Sequence, residues 1–263
     1  MSLKKYLTLA GYISNWTDYF RRRSDKGETV RYYTKGKRLA FDVPPAFYEV
    51  FREMFMEDFY HFKTIADTLP NNALVLDIGA NVGYFTFQLL AAKPNATVFA
   101  YEPMQQNINL FNSNIALNPG LAQQVKLHKN AVTGDWHDSI EIFYDGDKGN
   151  SVIASVYKEF NVENNRSEVV KAITLEDILQ SNNLNNVHLL KLDCEGSEYP
   201  ILYDSPASVF NGIQRIIIEV HPMDTDKRNE AYLTKFLQQK GYTITTHPGD
   251  NGCPSLIAVK PHA

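Results

Sequence analysis

Leu74-Val75-Leu76-Asp77-Ile78-Gly79-Ala80-Asn81-Val82-Gly83-Tyr84-Phe85-Thr86 decides how the rest of the chain is read. An apolar run reaches an acid, breaks at a glycine-bearing turn, and resumes with helical spacing through Phe85, Phe87, Leu89 and Leu90. The pattern predicts a strand, a tight loop and a helix, the opening unit of a ligand-binding α/β sheet. Gly79 permits a turn that a Cβ would forbid. Gly83, entering the helix, is expected to leave room for a ligand against the backbone. Asp77 is expected at the ligand crevice, where it can only accept hydrogen bonds. Ala80, Asn81 and Tyr84 are the other candidate contacts of this loop.

The carboxylate narrows the ligand. A loop that cradles a pyrophosphate offers N–H donors and avoids negative charge. The dinucleotide pattern Gly-x-Gly-x-x-Gly is absent; Gly79-x-x-x-Gly83 stands in its place. A second strand, Thr97–Tyr101, ends at Glu102-Pro103, and Glu102 lies 25 residues past Asp77. That is near the ~20-residue offset at which a second-strand acid holds ribose hydroxyls. The plainer reading of Glu102 is an acid at the start of the next helix. Two strand-end acids suit a nucleoside ligand rich in hydroxyl and ammonium donors, and S-adenosylmethionine fits better than a dinucleotide.

The 263 residues suit one large α/β domain, or one domain with an appendage. A net charge of −4 argues against a general nucleic-acid binder. No apolar stretch approaches the ~20 residues of a membrane span, and no secretory signal is read at the start. Cys194 and Cys253 form neither a zinc pattern nor a disulfide framework. A reducing cytoplasm is the expected compartment.

Charge is unevenly spread. Before position 41 stand ten bases, Arg22, Arg23 and Lys26 among them, against Asp18, Asp25 and Glu28. Leu3, Tyr6, Leu7, Ala10, Ile13 and Trp16 follow near-helical spacing. The segment is expected to dock on its own domain or a partner subunit, a peripheral membrane contact through residues 1–40 being the alternative. From Phe41 to Leu69 the reading stays helical, with Phe47, Tyr48, Phe51, Phe55, Phe59 and Tyr60 as core or as a wall over the sheet.

Val125–His128 reads as a third strand that ends at Asn130-Ala131-Val132. Ser139–Tyr144 alternates as a strand, with Asp145-Gly146-Asp147 as its turn and Asn150-Ser151 in the same insertion. Val169–Ile173 closes the insertion, and Thr174 caps a helix with Asp177 at the capping-box position.

Val187–Leu192 reads as a buried parallel strand, running into Asp193-Cys194-Glu195-Gly196-Ser197-Glu198. Such strands are apolar on both faces, so Lys191 and Asp193 require a reason. An ion pair is one; a place at the crevice as acid, base or metal ligand is the other. Gln214–Pro222 reads as a further apolar strand, and if it neighbours the first, Asp193, Glu195, Glu219 and His221 share one rim. His221 is then a candidate base, a structural hydrogen bond being the alternative. Two closing strands, Tyr242–Thr246 and Leu256–Lys260, can pair antiparallel at the sheet's edge.

Asp77–Gly83, Tyr101–Pro103, Lys191–Glu198 and Ile218–Pro222 occur in this order and together resemble the FkbM-type methyltransferase family. The resemblance spans about Asn71 to His221. It implies a Rossmann-like, doubly wound α/β fold of the class I methyltransferase type. Its seven-stranded, mostly parallel sheet would close with an antiparallel hairpin. Outside the match, the chain's own spacing gives a helical, basic and aromatic segment (residues 1–70) before the domain (71–263). It implies S-adenosylmethionine as donor, S-adenosylhomocysteine as product, and O-methylation of a sugar, glycolipid or natural product. By match, Asp77, Gly79, Asn81, Gly83 and Glu102 bind the donor, Asn130 and Ala131 meet its adenine, and Asp193 lies near its methyl end. Asp193, Glu195 or His221 is expected to take the acceptor's proton, with a divalent metal bridging Asp193 and Glu219 as a variant. A nicotinamide-dependent oxidoreductase and a non-catalytic cofactor-binding protein are the alternatives. A homo-oligomer is left open.

Overall fold

The computed structural model describes residues 3–24, 27–146, 154–249 and 252–261. Asp25, Lys26, Asp147, Asn150 and Ser151, and the side chains of Arg22 and Arg23, lie outside that description.

The first 70 residues are not helical throughout. Helices α1 (Leu3–Tyr12) and α2 (Asp18–Ser24) are followed by a hairpin, β1 (Val30–Tyr33) and β2 (Ala40–Val43). Its signal was a period of two: Val30, Tyr32, Phe41 and Val43 are buried, while Arg31 and Asp42 face each other outside and pair at 2.7 Å. α3 (Tyr48–Arg52) then widens into a π-type turn over Glu53–Glu57. Asp58 (φ 52°) and His61 (φ 50°) adopt left-handed conformations before α4 (Phe62–Thr68). The helical pattern expected from Phe41 to Leu69 is therefore broken twice. α1 docks through Leu9 while Leu3 and Leu7 stay 75% and 65% exposed.

The main sheet begins with the decisive stretch, β3 (Leu74–Ile78), which leads into α5 (Tyr84–Ala92). β4 (Thr97–Tyr101), α6 (Gln105–Ala116) and β5 (Val125–His128) follow. Here the chain leaves the sheet. β6 (Ala131–Thr133), β7 (Ser139–Tyr144), β8 (Ala154–Ser155) and β9 (Arg166–Thr174) form a separate four-stranded sheet in the order β6-β9-β7-β8. The strand expected to run on to Val132 is thus two strands in two sheets. Thr174 Oγ1 accepts the Asp177 N–H at 2.9 Å and starts α7 (Leu175–Ser181).

β10 (Leu189–Leu192), α8 (Glu198–Tyr203), β11 (Arg215–Glu219), α9 (Glu230–Gln239), β12 (Thr243–His247) and β13 (Ser255–Val259) complete the chain. The main sheet runs β12-β13-β11-β10-β3-β4-β5. Six strands are parallel and β13 alone is antiparallel. The expected closing pair forms, but β13 sits inside and β12 takes the edge.

Alternation along the strands assigns the two faces. Val75, Val98, Leu189 and Ile217 pack with the N-terminal aromatics and α5. Leu76, Phe99, Leu190, Ile216 and Ile218 pack with α7, α8 and α9. Helices on both faces leave the carboxyl ends of the parallel strands as the open rim. Among the described residues no helix is long and apolar enough to cross a membrane.

Candidate active site

Asp77 and Lys191 stand opposite each other in register on β3 and β10. Lys191 Nζ lies 3.2 Å from Asp77 Oδ1 and 3.5 Å from Asp193 Oδ2, and donates to the Gly79 carbonyl at 2.7 Å. Burial works against its charge, but Asp77 and then Asp193 outweigh it and raise the Lys191 pKa. Asp77, expected to face the ligand, is wholly buried and accepts from Thr86 Oγ1 at 2.7 Å. Its carboxylate therefore acts behind the loop, through Lys191 and Thr86, and is not on the cavity wall. The reason for a lysine in a buried parallel strand is this two-carboxylate socket.

The loop after β3 borders a cavity of about 390 Å³. Gly79, Ala80, Asn81, Tyr84, Glu102, Pro103, Asn130 and Ala131 line it, as expected, and so do Asp193, Glu195 and His221. Gly79 is required because its φ is 71° and a Cβ would stand 1.7 Å from the Asp193 carbonyl oxygen. Gly83 has a different role from the one expected. A Cβ there would strike the Phe111 ring at 2.3 Å, so its bareness serves helix packing and not ligand approach.

Glu102 stands at the start of the next helix and also on the cavity wall. Its carboxyl accepts from the Asn81 N–H (2.9 Å), the Met104 N–H (2.9 Å) at the start of α6, and Asn107 (3.1 Å), while it lines the cavity. Burial pushes its pKa up to about 7 against those hydrogen bonds.

On the other side of β3, adjacency of β10 and β11 gathers the expected rim of Asp193, Glu195, Glu219 and His221. His221 Nε2 is 3.3 Å from Glu195 Oε2 and 3.9 Å from Glu219 Oε1. His221 Nδ1 is 3.1 Å from Glu198 Oε1, on a wholly buried side chain. Burial alone would lower the His221 pKa, but Glu198, then Glu195 and Glu219, carry it up to about 11. Burial and the neighbouring acids push Glu195 up to about 8 and raise Glu219 well above the usual range. Asp193 goes the other way: Lys191 and His221 overcome the effect of burial and hold it low. Burial, then Glu198, keeps the Cys194 thiol protonated, which gives it no nucleophilic role.

The structure adds residues to which the sequence assigned no chemical role, and it puts Tyr60 on the wall that the aromatic stretch offered as one of two readings. Tyr60, from the aromatic stretch, donates to Asp193 Oδ2 at 2.6 Å, and Glu53 of the π-type turn lines the same cavity. Burial and Asp193 raise Glu53 to about 7. Phe160 packs edge-on to His221 with centroids 5.5 Å apart. Glu198 follows the acid turn within one motif and could have been found by its spacing. Cys253, 32 positions after His221 in a loop, carried no signal.

A mixed seven-stranded sheet with one internal antiparallel strand, opening on such a cavity, is an α/β fold of the class I methyltransferase type. A solved FkbM methyltransferase from Methylobacillus flagellatus has it, at TM-score 0.50 and 15% identity, over 81% of this chain and 54% of that one. The chain belongs to the FkbM methyltransferase family, whose domain model matches residues 77–244. It is 25% identical over 221 residues to Methyltransferase 1 of Beauveria bassiana, covering 79% of this chain and 85% of that protein. Methyltransferase sdnD of Sordaria araneosa is 24% identical over 221 residues, covering 74% and 82%.

Proposed function

We propose that the cavity binds S-adenosylmethionine and that the chain passes its methyl group to a hydroxyl of a small molecule or glycan. One observation carries the reading. Glu102 at the end of β4 and the Asp193–Glu219 rim at the ends of β10 and β11 flank the β3 loop within one cavity. A carboxylate at Glu102 suits ribose hydroxyls, and acids on the opposite side suit the donor's sulfonium and ammonium charges. Asn130 and Ala131 would border the adenine. Residues 71–263 are then the donor-binding domain, and residues 1–70 add Tyr60 and Glu53 to the acceptor wall.

The sulfonium is already activated, so alignment is the main requirement. The acceptor oxygen attacks the methyl carbon, the carbon–sulfur bond breaks, and its electron pair stays on sulfur. Of the three candidate bases, Glu195 takes the released proton. Its crowded position raises its proton affinity. His221, 3.1 Å from Glu198 and 3.3 Å from Glu195, borders that carboxylate. Asp193, already engaged by Lys191 and Tyr60, faces the donor.

Calorimetry with S-adenosylmethionine, S-adenosylhomocysteine and NAD tests the donor. The first two should bind and lose affinity in Glu102→Ala; binding of NAD alone would overturn the reading. Glu195→Gln should abolish transfer to a hydroxyl acceptor while S-adenosylhomocysteine still binds. Full turnover in that variant would remove Glu195 as base.

A further inference from the structure

The geometry points to a zinc-type divalent cation site formed by His221 Nε2, the Cys253 sulfur and a Glu219 carboxylate oxygen at the edge of the cavity. The ligand atoms of these three residues lie within 4.8 Å of one another, and all three residues line the cavity. Zinc bonds of about 2.0–2.3 Å set tetrahedral ligand atoms roughly 3.3–3.8 Å apart. The 3.9 Å between His221 Nε2 and Glu219 Oε1 is close to that spacing already. Three protein ligands at a cavity wall leave a fourth position for a small molecule, the arrangement of catalytic rather than structural zinc.

A second feature points independently to a metal. Metal-binding histidines almost always donate their other ring N–H to a carboxylate, a backbone carbonyl or water, which fixes the tautomer and aims the free nitrogen. Glu198 supplies that carboxylate at 3.1 Å from His221 Nδ1. It is wholly buried and is itself held by the His221 N–H and the Gly196 N–H, each at 2.9 Å. Nε2 faces Glu195 and Glu219, whose charges favour a positive group there; a bound cation would replace the Nε2 proton and leave the other ring proton on Nδ1, toward Glu198. The sulfur selects the metal, because thiolate with imidazole and one carboxylate suits zinc over magnesium or calcium.

The expected bridge between Asp193 and Glu219 is the weaker arrangement. Asp193 Oδ2 accepts from Tyr60 and lies 3.5 Å from the Lys191 ammonium, whose charge repels an added cation. On the Cys253 side the partners are Glu219, Glu195 and His221.

The catalytic meaning of this site rests on the methyl-transfer reading, although metal binding does not. An acceptor hydroxyl in the fourth position would lose its proton more readily. That proton passes to Glu195, the oxygen forms its bond to the methyl carbon, and the carbon–sulfur pair remains on sulfur.

Full-length protein treated with chelator and then titrated with Zn²⁺ and Co²⁺ tests the site. One Zn²⁺ per chain is expected, and Co²⁺ should show thiolate-to-cobalt charge transfer in the near ultraviolet. Cys253→Ser should abolish that band and weaken Zn²⁺ binding at least about ten-fold, whereas Cys194→Ser keeps both. Glu198→Gln should cost about 10–100-fold in Zn²⁺ affinity. Substoichiometric metal, or a cobalt band that survives in Cys253→Ser, overturns the inference. S-adenosylhomocysteine binding is measured on the same samples. Its presence without metal binding sinks the metal site alone, and metal binding without it sinks the donor reading alone.

Discussion

Lys191 and Asp77 form a fully enclosed ion pair across neighbouring strands, Nζ to Oδ1 at 3.2 Å, with side chains 3% and 0% exposed. The same ammonium holds the Gly79 carbonyl and Asp193. One cation thus ties the glycine loop after β3 to the acid turn after β10.

Removing that cation strands the buried Asp77 carboxylate and deprives the half-buried Asp193 of its ion-pair partner. Lys191→Met should destabilise the fold by about 3–5 kcal/mol, the usual cost of breaking a buried pair. Combining it with Asp77→Asn should recover part of the loss, since one orphaned charge is gone. Urea denaturation of the single and double variants checks both. A single variant as stable as the parent would show that the socket does not depend on the lysine.

Two left-handed glycines should respond differently to alanine. At Gly79 the new Cβ meets the Asp193 carbonyl at 1.7 Å, so strain and overpacking together should cost about 2–4 kcal/mol. At Gly241, with φ 88° and open space around it, only the conformational cost of roughly 1–2 kcal/mol applies. Equal denaturation midpoints for the two variants would contradict the close approach of the loops.

Glu102 should make donor binding pH-dependent. On the proposed reading, ribose hydroxyls would donate to the ionised carboxylate, so a proton on Glu102 would compete with the ligand. With a pKa of about 7 in the free protein, affinity for S-adenosylhomocysteine should rise as pH climbs through 7 and level off above it. Below 7 it should fall up to about ten-fold per pH unit. Calorimetry between pH 5.5 and 8.5, flanking that value by about 1.5 units on each side, shows the slope, and Glu102→Gln should flatten it.

Tyr60→Phe deletes the hydroxyl that donates to Asp193 at 2.6 Å and leaves the ring in place. A hydrogen bond to a charged group is worth about 1.5–3 kcal/mol. If Asp193 faces the donor's methyl end, transfer should slow by about 10–100-fold, while unfolding stability falls by no more than that hydrogen bond contributes. Unchanged transfer kinetics would separate Tyr60 from the reaction.

Local pattern by itself determined the β3–loop–α5 unit, the parallel strands ending in Asp77, Glu102, Asp193 and Glu219, the cap at Thr174 and the antiparallel closing pair. Each depends on neighbours in the chain: apolar runs make buried strands, glycines make turns, and Thr174 caps a helix within three residues. Tertiary structure decided which side chains reach the cavity. Asp77 and Gly83 carry the motif yet face inward, because register sets Asp77 against Lys191 and helix packing sets Gly83 against Phe111. Tyr60, Glu53 and Cys253 enter the cavity wall from segments 133, 140 and 32 positions away from Asp193, Asp193 and His221 respectively. Their places follow from how the N-terminal layer and the segment 252–254 before β13 pack at the rim. Sequence spacing carries no record of such contacts, since they are fixed by the packing of whole elements.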